Sequence, residues 1–291
     1  MLTLSQAAED FQNSLYNPTR RGLRAPNTIK IHRHNARKIV ASLGHLPLEQ
    51  VRNGAVKKFV TAMRDEQYSA ASISSFLVTL KMIVHSVKTE EGERIHNFSY
   101  DSEFIAAPIV DPSAQNTPSA TQEQIETSVR SEETALFVAI AAVSGCRVSE
   151  LMALEIGDVQ DRDCIDLNTG LIHIRKTLKT KSAARTIPLP TDFLIWLRNH
   201  IGDRTGKLFI KSQTSIREAL DKFNLPSPHA YRRFFVSHRR RMGMPEEILK
   251  RIAGHSIGGD ITSRYSRAAH DLDWIRTEVE RAGIGFSLEA A

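Results

Sequence analysis

The 291-residue chain contains only two cysteines, Cys146 and Cys164. Two cannot build a disulfide framework or a Cys-only metal site, which fits a reducing compartment. Long hydrophobic runs are also lacking. The longest, Ala135 to Val143, is far too short to cross a bilayer. The first ten residues, Met1 to Asp10, lack the basic and apolar regions of a signal peptide. A soluble, cytoplasmic protein with no membrane partner is expected. No HExxH motif and no Cys-His zinc spacing occur. Gly202 to Lys207 approaches a phosphate-binding loop, but it is one residue short and followed by Leu208, without the hydroxyl that would hold magnesium. The acids Asp158, Asp161, Asp163 and Asp166 lack the Gly and terminal Glu of a calcium loop. Neither a metal nor another cofactor is expected.

Acid is missing locally as well. From Tyr16 to Leu48 there are seven basic residues (Arg20, Arg21, Arg24, Lys30, Arg33, Arg37, Lys38) and no Asp or Glu. From Ile174 to Pro190 there are five (Arg175, Lys176, Lys179, Lys181, Arg185), again with no acid. A third cluster comprises Arg232, Arg233, Arg239, Arg240 and Arg241. The net charge of +6 alone says little. Three basic clusters spread over both halves of the chain fit a protein that surrounds nucleic acid.

The hydrophobic pattern predicts a mainly helical protein in two parts. Asn27-Thr28 can cap a helix to about Ser42 that Gly44 ends, and further helices run over about 48–66 and 69–87. In the last of these, Ile73, Phe76, Leu77, Leu80, Ile83 and Val84 recur at three- and four-residue steps, so one stripe is buried. Residues 98–120 carry Pro108, Pro112 and Pro118 among polar residues and read as a linker between a helical domain, 1–97, and a second domain, 121–291. The second domain opens with a helix apolar on every side from Ala135, a core element. Leu171–Ile174 and Thr186–Leu189 flank the basic loop and predict a small antiparallel sheet, with Pro188 at an edge or near an end. The remainder, from Thr191, reads as helical.

Five segments of the second domain occur in an informative order: Ser144-Gly-Cys-Arg147-Val-Ser-Glu150-Leu; Lys179-Thr-Lys181 followed by Arg185-Thr-Ile-Pro-Leu; Pro228-His229-Ala-Tyr-Arg232; Ala253-Gly254-His255-Ser256; and Tyr265, ten positions beyond His255. Any one is unspecific. Together, with this spacing, they resemble the signature of the tyrosine recombinases, also called the phage integrase family. The resemblance is strong over residues 121–267 and weaker over residues 3–90, which look like the family's helical core-binding domain.

The resemblance implies a site-specific DNA recombinase that cleaves and rejoins duplex DNA through a 3′-phosphotyrosine ester. Its nucleophile would be Tyr265 and its general acid Lys179, favoured over Lys181. The chemistry asks for the same residue types. Charge develops on the phosphate oxygens in the transition state, and Arg147 and Arg232 supply planar, permanently charged forks for it. Arg147 follows an apolar helix and a Gly, so it enters at the edge of the interior, and Glu150, three residues on, can orient it. His229 and Arg232 share one helical face, with Pro228 suiting the first turn. His229 can shuttle a proton near neutral pH, and His255 can donate to the phosphate or position the nucleophile. A phenol with a pKa near 10 needs activating neighbours, and Ser263, Arg264, Ser266 and Arg267 flank Tyr265.

Arg33, Arg37, Lys181, Arg185 and Arg233 are the expected DNA contacts. Arg233 stands where the family often has His. The family further implies a homo-oligomer, a tetramer on two duplex sites, and a C-terminal exchange helix at about 271–283 that docks on a neighbour or on its own core. A DNA-binding regulator without recombination, a metal-dependent nuclease using the Asp cluster, and a type IB topoisomerase are the competing readings.

Overall fold

The computed structural model describes residues 2–19, 23–109, 118–132, 134–176, 184–255 and 271–288. The chain divides into two compact units, Met1–Asn116 and Thr117–Ala291.

The first unit is helical. α1 (Leu4–Ser14) starts at a capping box in which Thr3 and Gln6 satisfy each other's backbone N–H groups. α2 (Pro26–Leu43) begins one to two residues before the Asn27-Thr28 start read from sequence, because Pro26 suits a first-turn position that needs no donor. The helix expected over 48–66 is broken. A 3-10 turn at Leu48–Gln50 is followed by extended backbone at Arg52, and α3 then runs Asn53–Asp65. The break lets Leu48 and Val51 both reach the core. α4 (Ala70–Ser86) is capped by Ser69 and buries the predicted stripe. Leu4, Phe11, Ile39, Phe59, Phe76 and Leu80 belong to one core. Phe98 and Ile105, read as the start of the linker, are buried in that core. The Phe98 carbonyl lies 2.9 Å from His85 Nε2, and the Asp101 N–H donates to Asn53 Oδ1. Residues 98–107 therefore belong structurally to the first unit.

The second unit is built on α6 (Ala135–Ser144), buried nearly throughout as its uniform apolarity predicts. α5 (Gln122–Val129) and α10 (Pro228–Arg241) pack against it. After α7 (Val148–Leu151) comes a five-stranded sheet of order β4-β3-β2-β1-β5. Its strands are β1 (Glu155–Ile156), β2 (Cys164–Asp166), β3 (Leu171–Ile174), β4 (Arg185–Pro188) and β5 (Gly206–Lys207).

The predicted hairpin is present, with Leu171 opposite Pro188 and Ile174 opposite Arg185. Pro188 lies on the edge strand, where its missing N–H costs nothing. The sheet is wider than expected and not purely antiparallel, since β1 and β2 pair in parallel. Two-residue strands carry no period, which hid β1 and β5. α8 (Thr191–Ile201), α9 (Gln213–Lys222), α11 (Glu246–Ala253) and α12 (Leu272–Ala282) complete the described unit. α12 buries Ile275, Val279 and Ala282 against its own unit, and Arg239 Nη1 donates to the Val279 carbonyl at 2.9 Å. Within the single chain this helix is seated on its own core.

Candidate functional site: an arginine cluster at a helix end

Two helix ends create the site. α6 stops at Gly145, whose φ of +62° turns the chain sharply, and a Cβ there would stand 2.3 Å from the Phe235 ring. Glycine is therefore required on both conformational and packing grounds. The turn delivers Arg147 to the N-cap of α7. Its backbone N–H donates to Glu150 Oε2 and its Nη1 to Glu150 Oε1, both at 2.7 Å. At the second end, α11 stops at Gly254 in the left-handed region, with φ of +63°. A Cβ there would come within 2.7 Å of Arg185 Nη1 and 3.2 Å of Arg147 Nη1.

The last carbonyls of a helix have no partner within it and carry its negative partial charge. In α11 they receive three guanidiniums in succession. Arg185 Nε donates to the Ile252 carbonyl at 2.6 Å, Arg232 Nη2 to that of Ala253 at 2.5 Å, and Arg147 Nη2 to that of Gly254 at 2.7 Å. Arg232 also donates to the Gly145 carbonyl, tying the two helix ends together.

Glu150 is the carboxylate of the cluster, fully buried and bridging Arg147 and Arg185, with Arg185 Nη2 to Glu150 Oε2 at 2.7 Å. Burial alone would raise its pKa, but hydrogen bonds and charge from Arg185, then Arg147, hold it below the usual carboxylate range. Arg185 is raised above its ordinary value, because Glu150 outweighs burial. Burial, then Arg147 and Arg185, push Arg232 down to about 10, which leaves it a cation at neutral pH. Among the described residues, three guanidiniums face one carboxylate, a surplus of two positive charges (3 − 1). Carbonyl dipoles offset this only in part, so the cluster attracts an anion.

His255 directly follows Gly254, exposed, with its Nε2 2.9 Å from Arg232 Nη2. A guanidinium can only donate, so Nε2 accepts and the ring proton sits on Nδ1. Burial, then Arg232, Arg147 and Arg185, lower its pKa. His229 lies exposed in the first turn of α10, on the face that carries Arg232. Its pKa is lowered by burial, then by Arg233 and Arg232. Both imidazoles are therefore neutral near pH 7. Tyr231 is buried, with its hydroxyl 3.2 Å from Ser128 Oγ, and burial raises its pKa to about 12, so it is a packing residue.

The structure thus brings together Arg147, Glu150, Arg232 and His255 and places His229 on the neighbouring helix face. Lys179, Lys181 and Tyr265 lie outside the described residues. Arg233 is half-buried on α10, while Arg33 and Arg37 are exposed on α2, where Arg33 Nη1 donates to Tyr16 Oη at 3.0 Å. Arg185 needs correction. Read as a DNA contact, its side chain is fully buried on Glu150. The signal was available, since Arg185 is in phase with buried Ile187, and alternate residues of a strand face the same way. Sequence reasoning also missed the three α11 carbonyls, although Gly254 closing an amphipathic helix marked that end.

A model of the phage integrase family matches residues 118–271. No curated protein matches the chain. Among solved structures, the integrase of the Tn1549 transposon, in complex with a circular intermediate DNA, aligns with a TM-score of 0.67 at 20% identity, covering 97% of this chain and 100% of that one. A lambda integrase dimer bound to a COC′ core site gives 0.64 at 17% identity, with 94% and 79% covered. A lambda integrase tetramer bound to a Holliday junction gives 0.62 at 16%, with 90% and 76% covered. At these identities the structural likenesses establish the fold, while the sequence match spans more than half of the 291 residues and includes every box from Arg147 to Tyr265. The chain belongs to the phage integrase family.

Proposed function

We propose that the protein is a site-specific DNA recombinase that breaks and rejoins duplex DNA through a covalent bond to Tyr265. The observation that carries the reading is the arginine cluster around buried Glu150, whose surplus of two positive charges among the described residues suits a phosphodiester. Arg147 and Arg232 bind the non-bridging oxygens and stabilise the charge that grows there. The Nδ1–H of His255 adds a third donor. The Tyr265 oxygen attacks phosphorus and forms the phosphotyrosine ester to the 3′ side, and the bond to the 5′ oxygen breaks. The phenolic proton passes to neutral His229, and Lys179 protonates the leaving 5′ oxygen. Glu150 and Arg185 orient the cluster without touching substrate. Since the ester stores the cleaved bond, rejoining needs no ATP.

The first unit, through Arg33 and Arg37 on α2, would hold the duplex with the second unit, and four copies would assemble on two sites. Relatives of the same fold were solved on DNA, one as a tetramer on a Holliday junction. The test is covalent capture. Wild type and Tyr265→Phe are incubated with sheared genomic DNA of the source, with chelator present, then denatured in detergent. DNA attached to wild type alone is expected, and its sequence gives the site. Attachment by Tyr265→Phe would overturn the nucleophile. Salt-sensitive binding without attachment by either would leave a DNA-binding protein that does not recombine.

A further inference from the structure

The acids between β1 and β2, which match no calcium loop, have another task. Asp163 is 2% exposed, and a buried carboxylate is costly unless several donors reach it. Its Oδ1 accepts from the backbone N–H groups of Arg175 and Lys176, at 2.6 and 2.7 Å, short charge-assisted bonds. These two residues directly follow β3 and lead into residues 177–183, which by sequence carry Lys179 and Lys181. Asp163 is itself fixed, because its carbonyl accepts from Glu155 N–H across the β1–β2 pair. The Arg175 side chain folds back to the same corner, with Nη1 donating to the Val159 carbonyl at 2.8 Å and reaching Asp158 Oδ1 at 3.3 Å. On the return side, Arg185 is held by Glu150 and the Ile252 carbonyl. Both ends of the lysine-bearing segment are thus fastened to the sheet and the arginine cluster. Fixing the ends of a short segment limits the positions its side chains can sample, which raises the fraction of time a reactive group spends in place.

We propose that Asp163 is a positioning residue for the proton donor of strand cleavage, acting through its grip on the backbone of Arg175 and Lys176. The inference rests on the recombinase reading above and on a lysine of 177–183 as general acid. In that step the P–O5′ bond breaks and the oxygen takes its proton from the lysine ammonium.

A duplex bearing the captured site, with sulfur replacing the bridging 5′ oxygen at the scissile phosphate, separates positioning from folding. A thiolate leaves without a proton, since its conjugate acid has a pKa of about 8.5. Covalent complex formation is timed on oxygen and sulfur substrates for wild type, Lys179→Ala, Lys181→Ala, Asp163→Ala and Asp163→Asn. Asp163→Ala is expected to slow the oxygen substrate by about 10- to 100-fold, within the roughly 10²- to 10⁴-fold worth of general acid catalysis, and the sulfur substrate by less than about threefold. Asp163→Asn, which keeps an acceptor, should lie between it and wild type, and it decides the question if the alanine chain loses DNA binding. Equal slowing on both substrates, or no slowing, overturns the proposal. If a lysine variant shows sulfur rescue while the Asp163 variants do not, only the positioning role fails. If neither lysine variant shows rescue, the general-acid assignment falls and the inference with it. No covalent complex by wild type would sink the recombinase reading itself.

Discussion

Glu150 decides whether the arginines stay where they are. It is the buried carboxylate between Arg147 and Arg185, and removing one partner of such a cluster leaves like charges facing each other away from water. Glu150→Gln keeps the shape and removes the charge. It is expected to lower stability by about 3 kcal/mol, the lower end for breaking a buried ion pair, read from urea unfolding midpoints. The pH dependence has a definite sign. The folded-state pKa of Glu150 lies below its ordinary 4.5, so its stabilisation is fully present above about pH 4.5 and disappears as pH falls through the folded value. Wild type should lose stability in that window more steeply than Glu150→Gln, and parallel curves would show that the carboxylate is not the group titrating. Under the proposed function the histidines would act on catalysis instead. His229 and His255 are both lowered from 6.5, so cleavage should persist through pH 6.5 and decline below it, as the imidazoles take up protons.

Among the elements, the end of α11 does the most for the site, because its three terminal carbonyls each hold one arginine. Gly254 is where that end is vulnerable, and Gly243 provides the comparison. Both have positive φ, +63° and +70°, but a Cβ at Gly243 meets nothing within 4 Å, whereas at Gly254 it meets the guanidiniums of Arg185 and Arg147. Gly243→Ala and Gly254→Ala should each lose roughly 1–2 kcal/mol from left-handed backbone strain. Only Gly254→Ala should also cut covalent DNA capture, by tenfold or more, since moving an arginine by a few tenths of an ångström disturbs phosphate binding. Equal capture by the two variants would mean that the arginines tolerate displacement.

The same elements show what could be read in advance. Arg147, Glu150, Arg232 and His255 were legible because each lies in a short box whose neighbours, a Gly or a first-turn Pro, dictate a local turn. Arg185 was misjudged because a basic loop beside a strand suggests solvent, and only its phase with Ile187 reveals the interior. β1 and β5 were unreadable at two residues each, since they exist through pairing with distant partners rather than through any local period. The start of the linker was misplaced for a related reason. Phe98 and Ile105 are isolated apolar residues in a polar stretch, and their burial depends on a groove that only the folded first unit provides.

At the scale of the whole molecule, positive charge divides into two populations with different consequences. One is the cluster: Arg147, Arg185 and Arg232 are held by Glu150 and by carbonyls, and under the proposed function Arg147 and Arg232 would meet a single phosphate while Arg185 stays buried behind them. The other is external, exemplified by the exposed Arg33 and Arg37 of α2 in the first unit. External cations that neutralise backbone phosphates release counterions, each contributing roughly 0.9 to the slope of log affinity against log salt. Arg33→Gln with Arg37→Gln should therefore flatten that slope by nearly 2 and weaken binding to all duplexes alike. Arg232→Lys, inside the cluster, should leave the slope within about 1 of wild type while abolishing covalent capture, because a lysine cannot span the Gly145 and Ala253 carbonyls and a phosphate together. Titrating both variants against the captured site and against unrelated DNA, over a range of salt, checks the division. If the double variant in the first unit keeps the wild-type slope, α2 does not carry the duplex, and the basic stretch from Tyr16 to Leu48 serves another surface.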